Sequence, residues 1–304
     1  MLLLVKYTLL YMVVLMMVAL GGMFSERSGI INIALEGIMV IGGLVGVLAA
    51  KFLALTPVWT VVISILAAGL AGMIYALLLG YASVHLKADQ TIGGTALNIL
   101  ATAIAMVIAK RVNGTQAPKL DYVNAPFLFS IGDLELNVFI PLGIVLLLIS
   151  YVILYKTRLG LRLRSCGEHP QAAASVGINV YKMRYIGVMA SGFLGGIGGL
   201  AYIIPAVSIW NFEQGVTGMG FLALAVMIFG QWKPFRIFFA AIFFSLFRAM
   251  ANIADSFPIL KELNWPKEIY NMMPFIASMI VLAFSSKKSR APKAEGIPYD
   301  TGAR

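Results

Sequence analysis

The chain has 304 residues, 60% of them hydrophobic and only 12% charged, and its mean hydropathy is +0.90. Soluble domains carry about a quarter charged residues, so this composition excludes an ordinary soluble domain. The net charge of +10 resides in short segments between apolar runs. That distribution is typical of membrane-orienting loops and argues against a nucleic-acid-binding surface.

Apolar runs recur at the length that an α-helix needs to cross about 30 Å of hydrocarbon. They predict an all-α polytopic membrane protein with about nine transmembrane helices, in a range of about eight to ten. A β-barrel would show short alternating segments instead. The second span contains Asn32 and Glu36 and is rich in glycine, so we expect it to be broken or partly re-entrant. The predicted spans are 7–24, 30–50, 58–80, 90–109, 137–155, 185–206, 214–232, 236–254 and 269–286.

Basic residues predict the orientation of these spans. With the loop 156–184 on the cytoplasmic side, fifteen of the 23 basic residues lie on that side and seven on the other. Because cytoplasmic loops carry the excess of lysine and arginine, the N-terminus is predicted outside and the C-terminus inside. Residues 1–286 form the predicted membrane domain, and 287–304 form a basic, solvated cytoplasmic tail. Residues 7–24 lack a convincing cleavage pattern and are interpreted as a retained first span.

The sequence contains no recognisable enzymatic motif. It lacks the phosphate-binding G-x-x-x-x-G-K-[ST], the zinc-binding H-E-x-x-H and the nucleophile-elbow G-x-S-x-G patterns. His85 and His169 are too few and too far apart for a histidine-based metal site, and the single Cys166 excludes an internal disulfide. No catalytic residue and no metal site is therefore predicted, and transport becomes the leading functional class ahead of a membrane enzyme.

The stretch "GLRLRSCGEHPQAAASVGINV", residues 160–180, differs from its apolar surroundings. Pro170 can begin a short helix, since its missing N–H is not needed there, and Gly177 can end it. The alanines between them permit close docking against another surface. The alternative is a basic loop that only fixes the topology.

Part of this stretch, "QAAASVG" at 171–177, resembles the E-A-A-x-x-x-G coupling motif of ATP-binding-cassette (ABC) importer permeases, with Gln171 in place of the acid. No isoleucine-x-leucine-proline follows, which departs from the maltose-type permeases. The chain is more similar to the branched-chain amino acid, simple sugar and nucleoside permeases. Four stretches resemble the nucleoside-type, basic-membrane-protein-associated subgroup: "FSERSGIINIALEGIMVIGG" at 24–43, "QTIGGTALNILA" at 90–101, "GMGFLALAVMIFGQWKP" at 218–234 and "APKAEGIPYDTGAR" at 291–304.

The resemblance implies a permease subunit of a bacterial nucleoside importer in the plasma membrane. The alternatives are a simple sugar or branched-chain amino acid permease and, from another class, an ion-coupled secondary transporter. An ion-coupled transporter would need its own coupling carboxylates, for which Glu36 and Asp255 are candidates, and would leave the coupling-like loop unexplained.

The resemblance also implies partners: a cytoplasmic ABC ATPase, a second and non-identical permease subunit, and an extracytoplasmic substrate-binding lipoprotein. ATP and magnesium would bind to the ATPase, and no cofactor to this chain. We expect a bulky charge at Ala173 to uncouple ATP hydrolysis from transport while the membrane domain stays folded. The residues with an implied coupling role are Glu168, Pro170, Gln171, Ala172, Ala173, Ala174 and Gly177.

Polar residues within the predicted spans are candidates for the substrate pathway, because polar groups at membrane depth usually face a cavity or a partner. Asn32 and Glu36 would share one face of a continuous helix. Arg248 needs a partner, for which Glu36 is our hypothesis. The structural alternative for each is hydrogen bonding between helices, which we favour for Asn98. The pathway candidates are Asn32, Glu36, Asn98, Arg248 and Asn252.

Overall fold

The computed structural model describes residues 2–53, 56–132, 134–206, 208–253 and 291–300, and a few positions between 269 and 279. Within these residues the protein is a bundle of α-helices with two small antiparallel sheets, β1 with β4 and β2 with β3. The helices are α1 Leu2–Arg27, α2 Leu35–Phe52, α3 Pro57–Val84, α4 Gln90–Asn113, α5 Phe139–Lys156, α6 Arg158–Glu168, α7 Pro170–Ser175, α8 Val180–Ile203, α9 Met219–Phe229 and α10 Pro234–Asn252. The strands are β1 Lys119–Asp121, β2 Leu128–Ile131, β3 Leu134–Asn137 and β4 Ile209–Asn211.

Seven of the described helices are long and apolar enough to cross a membrane: α1, α2, α3, α4, α5, α8 and α10. They correspond to seven of the nine predicted spans, and the predicted all-α polytopic class is confirmed. The prediction of a full span at 214–232 is wrong, because α9 has only 11 residues and extends about 16 Å at ~1.5 Å per residue. The predicted span 269–286 lies largely outside the described residues.

The second span starts later than predicted and is not broken within itself: α2 is one continuous helix, Leu35–Phe52, and the first residues of the predicted span 30–50 precede it. Residues 28–34 are not helical, and Gly29 adopts a left-handed φ of +98° that favours glycine. The Ser25 hydroxyl donates to the carbonyl of Ile30 at 2.7 Å and so closes the turn after α1. Because Asn32 precedes α2 and Glu36 lies in its first turn, the expectation that these two share a helix face is wrong.

Helix α8 lies at the centre of the bundle, where its glycines permit unusually close helix contacts. The backbone of Gly196 faces Gly42 of α2 and Gly72 of α3, so that a Cβ at any of these positions would meet backbone atoms of a neighbouring helix. The glycines of α8 therefore serve helix packing.

The two ends of the bundle carry different ion pairs. One end has Lys6 paired with Glu135 and Lys51 paired with Asp121 at 2.5 Å. The Lys51 ammonium holds the pKa of the exposed Asp121 carboxyl below its usual range. These four residues all belong to the end predicted to lie outside.

The opposite end contains α6, α7 and the tail segment 291–300. Arg27 pairs there with Glu168 at 3.7 Å, and Lys87 pairs with Asp300 at 3.3 Å. The expectation of a solvated tail is wrong for residues 291–300, because Ala294 and Tyr299 are buried against the bundle. The two pairs at each end thus join residues that the predicted orientation places on the same side of the membrane.

Candidate coupling and substrate sites

Helix α6, which sequence reasoning read as part of a loop, leads into the candidate coupling helix. Its first turn is capped by the Thr157 hydroxyl, which accepts from the amide of Gly160 at 3.2 Å. Leu163 and Cys166 are spaced by three residues and point into the bundle. The threonine cap followed by apolar residues at helical spacing is the signal that identifies this helix in the sequence.

Helix α7 begins at Pro170 and ends at Ser175, as the sequence predicts. Gly177 has a φ of +81°, and its amide donates to the carbonyl of Ala174 at 2.9 Å. This left-handed residue turns the chain away from the helix and satisfies one of its last carbonyls.

The two faces of α7 have different surroundings. Ala173 is buried, whereas Gln171 and Ala172 are exposed and Val176 is 74% exposed. Because Ala173 packs inward, a bulky charge there would be buried, so the structure favours a loss of stability over the expected uncoupling in a folded membrane domain. The face free to meet another protein is formed by Gln171, Ala172, Ser175 and Val176.

Glu36 is the acidic group of the candidate substrate site. Its carboxylate accepts hydrogen bonds from the amides of Gly218 at 2.8 Å and Gly220 at 2.7 Å, at the start of α9. The positive end of that helix favours a carboxylate there. A Cβ at Gly220 would lie 2.5 Å from the backbone nitrogen of Glu36, so this contact requires glycine.

Arg248 reaches the same turn from α10. Its Nη2 donates to the Thr217 hydroxyl at 3.2 Å, and its guanidinium lies 6.0 Å from the centre of the Tyr11 ring. The hydroxyl groups of Thr217 and Tyr202 are 2.6 Å apart. Glu36 and Arg248 therefore meet at residues 217–220, and the ion pairs between described residues do not include a direct Glu36–Arg248 pair.

Aromatic rings surround this turn. The rings of Tyr11 and Tyr202 are 6.3 Å apart, and Trp210 contacts Tyr202 edge-on at 5.4 Å. Trp210 reaches this place because β4 pairs with β1, opposite Leu120. Asn252, the remaining pathway candidate, is the last residue of α10 and is exposed. Sequence reasoning missed Tyr11, Tyr202 and Thr217, because tyrosines within apolar runs look like ordinary span residues.

The amides of Asn32 and Asn98 bond to neighbouring parts of the bundle. Asn98 accepts from the amide of Gly37 at 2.7 Å and donates to the carbonyl of Ile33 at 2.9 Å. Asn32 donates to the Ser191 hydroxyl at 2.8 Å. These bonds are the structural alternative weighed for both residues, and a pathway role for either stays a prediction.

The same contacts show how deep in the helix bundle the candidate site lies. Asn98 lies eight residues after Gln90, the first residue of α4, hence about 12 Å along the helix axis. Gln90 accepts from the amide of Ile31 at 2.7 Å, while Asn98 binds Gly37, the neighbour of Glu36. The non-helical segment 28–34 thus enters the bundle to a depth of about 12 Å, measured along α4 from Gln90, before α2 begins.

A comparison with protein families decides the identity of this bundle. The family described as branched-chain amino acid transport system / permease component matches residues 4–283. The chain belongs to this permease family. The resemblance to ABC permeases of this group, and within it to the nucleoside-type members, is confirmed, and the protein is a multi-pass membrane transport protein.

Two relatives in this family match along nearly their whole length. The guanosine ABC transporter permease protein NupQ of Bacillus subtilis is 39% identical over 99% of this chain and 97% of its own. The nucleoside ABC transporter permease protein NupC of Lactococcus lactis is 39% identical over 96% of this chain and 94% of its own. A second nucleoside permease of that Lactococcus strain, NupB, is 28% identical over 60% of this chain and 51% of its own. No solved structure matches the chain significantly.

Proposed function

We propose that this permease is the membrane-spanning subunit of an ABC importer for nucleosides. The observation that carries the proposal is the 39% identity, along almost the whole chain, to two permeases named for guanosine and nucleoside transport. Simple sugars and branched-chain amino acids are the alternative substrates within the family.

The chemistry around residues 217–220 supports a nucleoside. A nucleoside combines a planar base, which can stack on aromatic rings or a guanidinium group, with a ribose whose hydroxyls donate hydrogen bonds. Tyr11, Tyr202 and Arg248 offer the first kind of contact, and Glu36 offers acceptors for the second. Because two amides and a helix end already stabilise its negative charge, Glu36 suits a neutral hydroxyl better than the ammonium group of an amino acid.

The cytoplasmic partner in this proposal is an ABC ATPase that docks on the exposed face of α7. ATP and Mg²⁺ bind to that ATPase, and its closure moves α7. In this proposal the N-terminus, the end of α2 and the start of α3 face outward, where a substrate-binding lipoprotein delivers the nucleoside. A second, non-identical permease completes the pathway, as suggested by the pair of unequal nucleoside permeases in Lactococcus.

Uptake by the complete transporter in proteoliposomes tests this function. We expect ATP-dependent uptake of labelled guanosine and uridine that unlabelled ribose or leucine does not inhibit. A transporter with an inactivated ATPase should show no uptake. Uptake driven by a proton gradient alone would contradict the proposal. ATP-driven uptake of ribose or leucine in place of nucleosides would instead identify a simple sugar or branched-chain amino acid permease.

The same assay tests the site. Glu36→Gln removes the negative charge that accepts hydrogen bonds at residues 218–220, so we expect nucleoside uptake to fall by about tenfold or more, since hydrogen bonds to charged groups contribute ~1.5–3 kcal/mol. Gln214→Ala is a matched control, because Gln214 is exposed in the same loop. Equal uptake by the two variants would exclude Glu36 from the pathway.

A further inference from the structure

The tail segment 291–300, here named the strap, crosses the cytoplasmic end of the bundle. Within the strap, Gly296 adopts a left-handed φ of +75°, and the amide of Glu295 bonds to the carbonyl of Pro292 at 3.1 Å. These features fold the strap into a compact turn. A short segment with no helix of its own gains order only from what it contacts.

One side of the strap contacts the candidate coupling region, which is formed by α6 and α7. The amide of Ala294 donates to the carbonyl of Gly167 at 2.8 Å, one residue before the end of α6. The buried ring of Tyr299 belongs to one small apolar cluster with Cys166, Ala173 and Val180, so α6, the inward face of α7 and the strap share this cluster. It also meets the ring of Tyr181 edge-on at 5.4 Å.

The other side of the strap contacts the non-helical segment 28–34, which leads to Glu36. The amide of Gly296 donates to the carbonyl of Gly29 at 3.3 Å, and a Cβ at Gly296 would lie 2.8 Å from the Ile31 side chain. The carboxyl groups of Glu26 and Glu295 interact electrostatically where the strap meets the end of α1. Burial raises the pKa of Glu295.

Helix α8 joins the two sides. Arg184, which is almost fully buried, donates from Nη2 to the carbonyl of Ile297 at 2.9 Å. A Cβ at Gly29 would meet the same guanidinium group at 3.1 Å. Arg184 therefore lies between the strap and the turn after α1, and movement of either displaces it.

These contacts form a continuous packed connection from α7, through Tyr299 and the strap, to residues 29–31 and the start of α2. We propose that the strap is a coupling element of the transporter, in which Tyr299 is a positioning residue that makes the α1–α2 turn follow the movement of α7. This inference rests on the proposed function, since α7 moves only if an ATPase docks on it. A packed connection transmits displacement because close-packed groups do not deform continuously.

The number of nucleosides transported per ATP hydrolysed tests the strap. Tyr299→Ala removes the ring from the buried cluster that contains Ala173. We therefore expect ATP hydrolysis to continue while the uptake per ATP falls by about tenfold, which is within the usual range of coupling effects. Tyr299→Phe keeps the ring and should restore the wild-type ratio. Asp300→Asn is the matched control, because it changes the neighbouring residue and weakens its half-exposed pair with Lys87 while the Tyr299 ring stays in place.

Cys166, the only cysteine of the chain, reports whether the strap is in place. It is buried beside Tyr299, and its burial raises its pKa, so a maleimide should label the wild-type transporter slowly. We expect labelling to be at least about tenfold faster in Tyr299→Ala and in a chain that ends at residue 290, and unchanged in Tyr299→Phe.

Two outcomes overturn the inference. One is a wild-type ratio of uptake to hydrolysis in both Tyr299→Ala and the shortened chain. The other is a loss of uptake that Tyr299→Phe shares, which would mean that the strap does not act through the ring. A wild-type transporter without ATP-driven nucleoside uptake would instead contradict the proposed function, and the Cys166 labelling rates would still show whether the strap docks.

Discussion

Asn98 supplies the helix cap that α2 lacks. Ala34, at the N-cap position, makes no side-chain cap bond, and the Asn98 amide of α4 bonds to Gly37 and Ile33 on either side of it. In a membrane no water is present to satisfy these groups, so a polar side chain from another helix must do so. The sequence predicts that Asn98 is a polar group at depth but does not reveal its partner, because Gly37 lies 61 residues away.

Replacement of Asn98 tests this cap. Asn98→Ala leaves the amide of Gly37 and the carbonyl of Ile33 without their partners, and each unsatisfied group destabilises by ~1–3 kcal/mol. We expect a thermal unfolding midpoint in detergent several degrees below that of the wild type. Asn113→Ala is the control, since that amide bonds only to the exposed Thr115. A midpoint equal to that of the control would show that α2 begins without help from Asn98.

Helix lengths show why apolar composition alone does not predict the number of membrane spans. Residues 219–229 are as apolar as any true span, but Gly215, Thr217 and Gly218 have left-handed φ values just before them, and Gln231 and Trp232 just after. Thr217, Gln231 and Trp232 carry no glycine-like signal, so the sequence predicts the apolar segment and misses both of its ends. The starts of α3 and α10 lie within two residues of the predicted 58 and 236, and each is at a proline, a residue that favours the first turn of a helix.

The faces of α7 could not be assigned from its sequence, because three consecutive alanines have no polar side. In the structure Ala173 faces inward and Val176 faces outward. The neighbours of α7 account for this difference, since Ala173 belongs to a buried cluster with Cys166, Val180 and Tyr299. A helix of six residues has too little surface to choose its orientation without such neighbours.

Charges placed on the two faces of α7 should have different effects. Val176→Glu leaves the packing of the bundle intact, and we expect normal thermal stability with at least about tenfold less nucleoside uptake, because a charge would oppose docking of the ATPase. Ala173→Glu buries a charge without a partner and should lower the unfolding midpoint of the permease itself. Co-purification of the ATPase with each variant and thermal unfolding distinguish the two effects. Normal uptake by Val176→Glu would exclude this face as the docking surface.

At the scale of the whole molecule, the structure connects two regions that the sequence treats separately. The turn after α1 leads into the bundle toward Glu36. Where this turn faces away from Glu36, it contacts Gly167 of α6, Arg184 of α8 and Gly296 of the strap. The family signature around Glu36 and the coupling motif are therefore parts of one packed unit. Neither hydropathy nor charge could reveal this, because the contacts join segments more than 100 residues apart, through small residues and backbone atoms.

The orientation of this unit in the membrane is open to a direct test. Val123 follows β1 and is 61% exposed at the end predicted outside, and Val176 is 74% exposed at the opposite end. In a Cys166→Ala background, Val123→Cys and Val176→Cys each provide one accessible thiol. A membrane-impermeant maleimide applied to intact cells should label Val123→Cys at once, and Val176→Cys only after the cells are permeabilised.

The reverse pattern would invert the predicted topology. It would place α7 outside and so remove the ATPase from its proposed docking face. The expected result is favoured because the 156–184 loop that contains α7 carries six of the basic residues, and moving such a loop across the membrane is strongly disfavoured. Since Tyr299 and Ala173 share one buried cluster, the side found for Val176 also fixes the side of the strap.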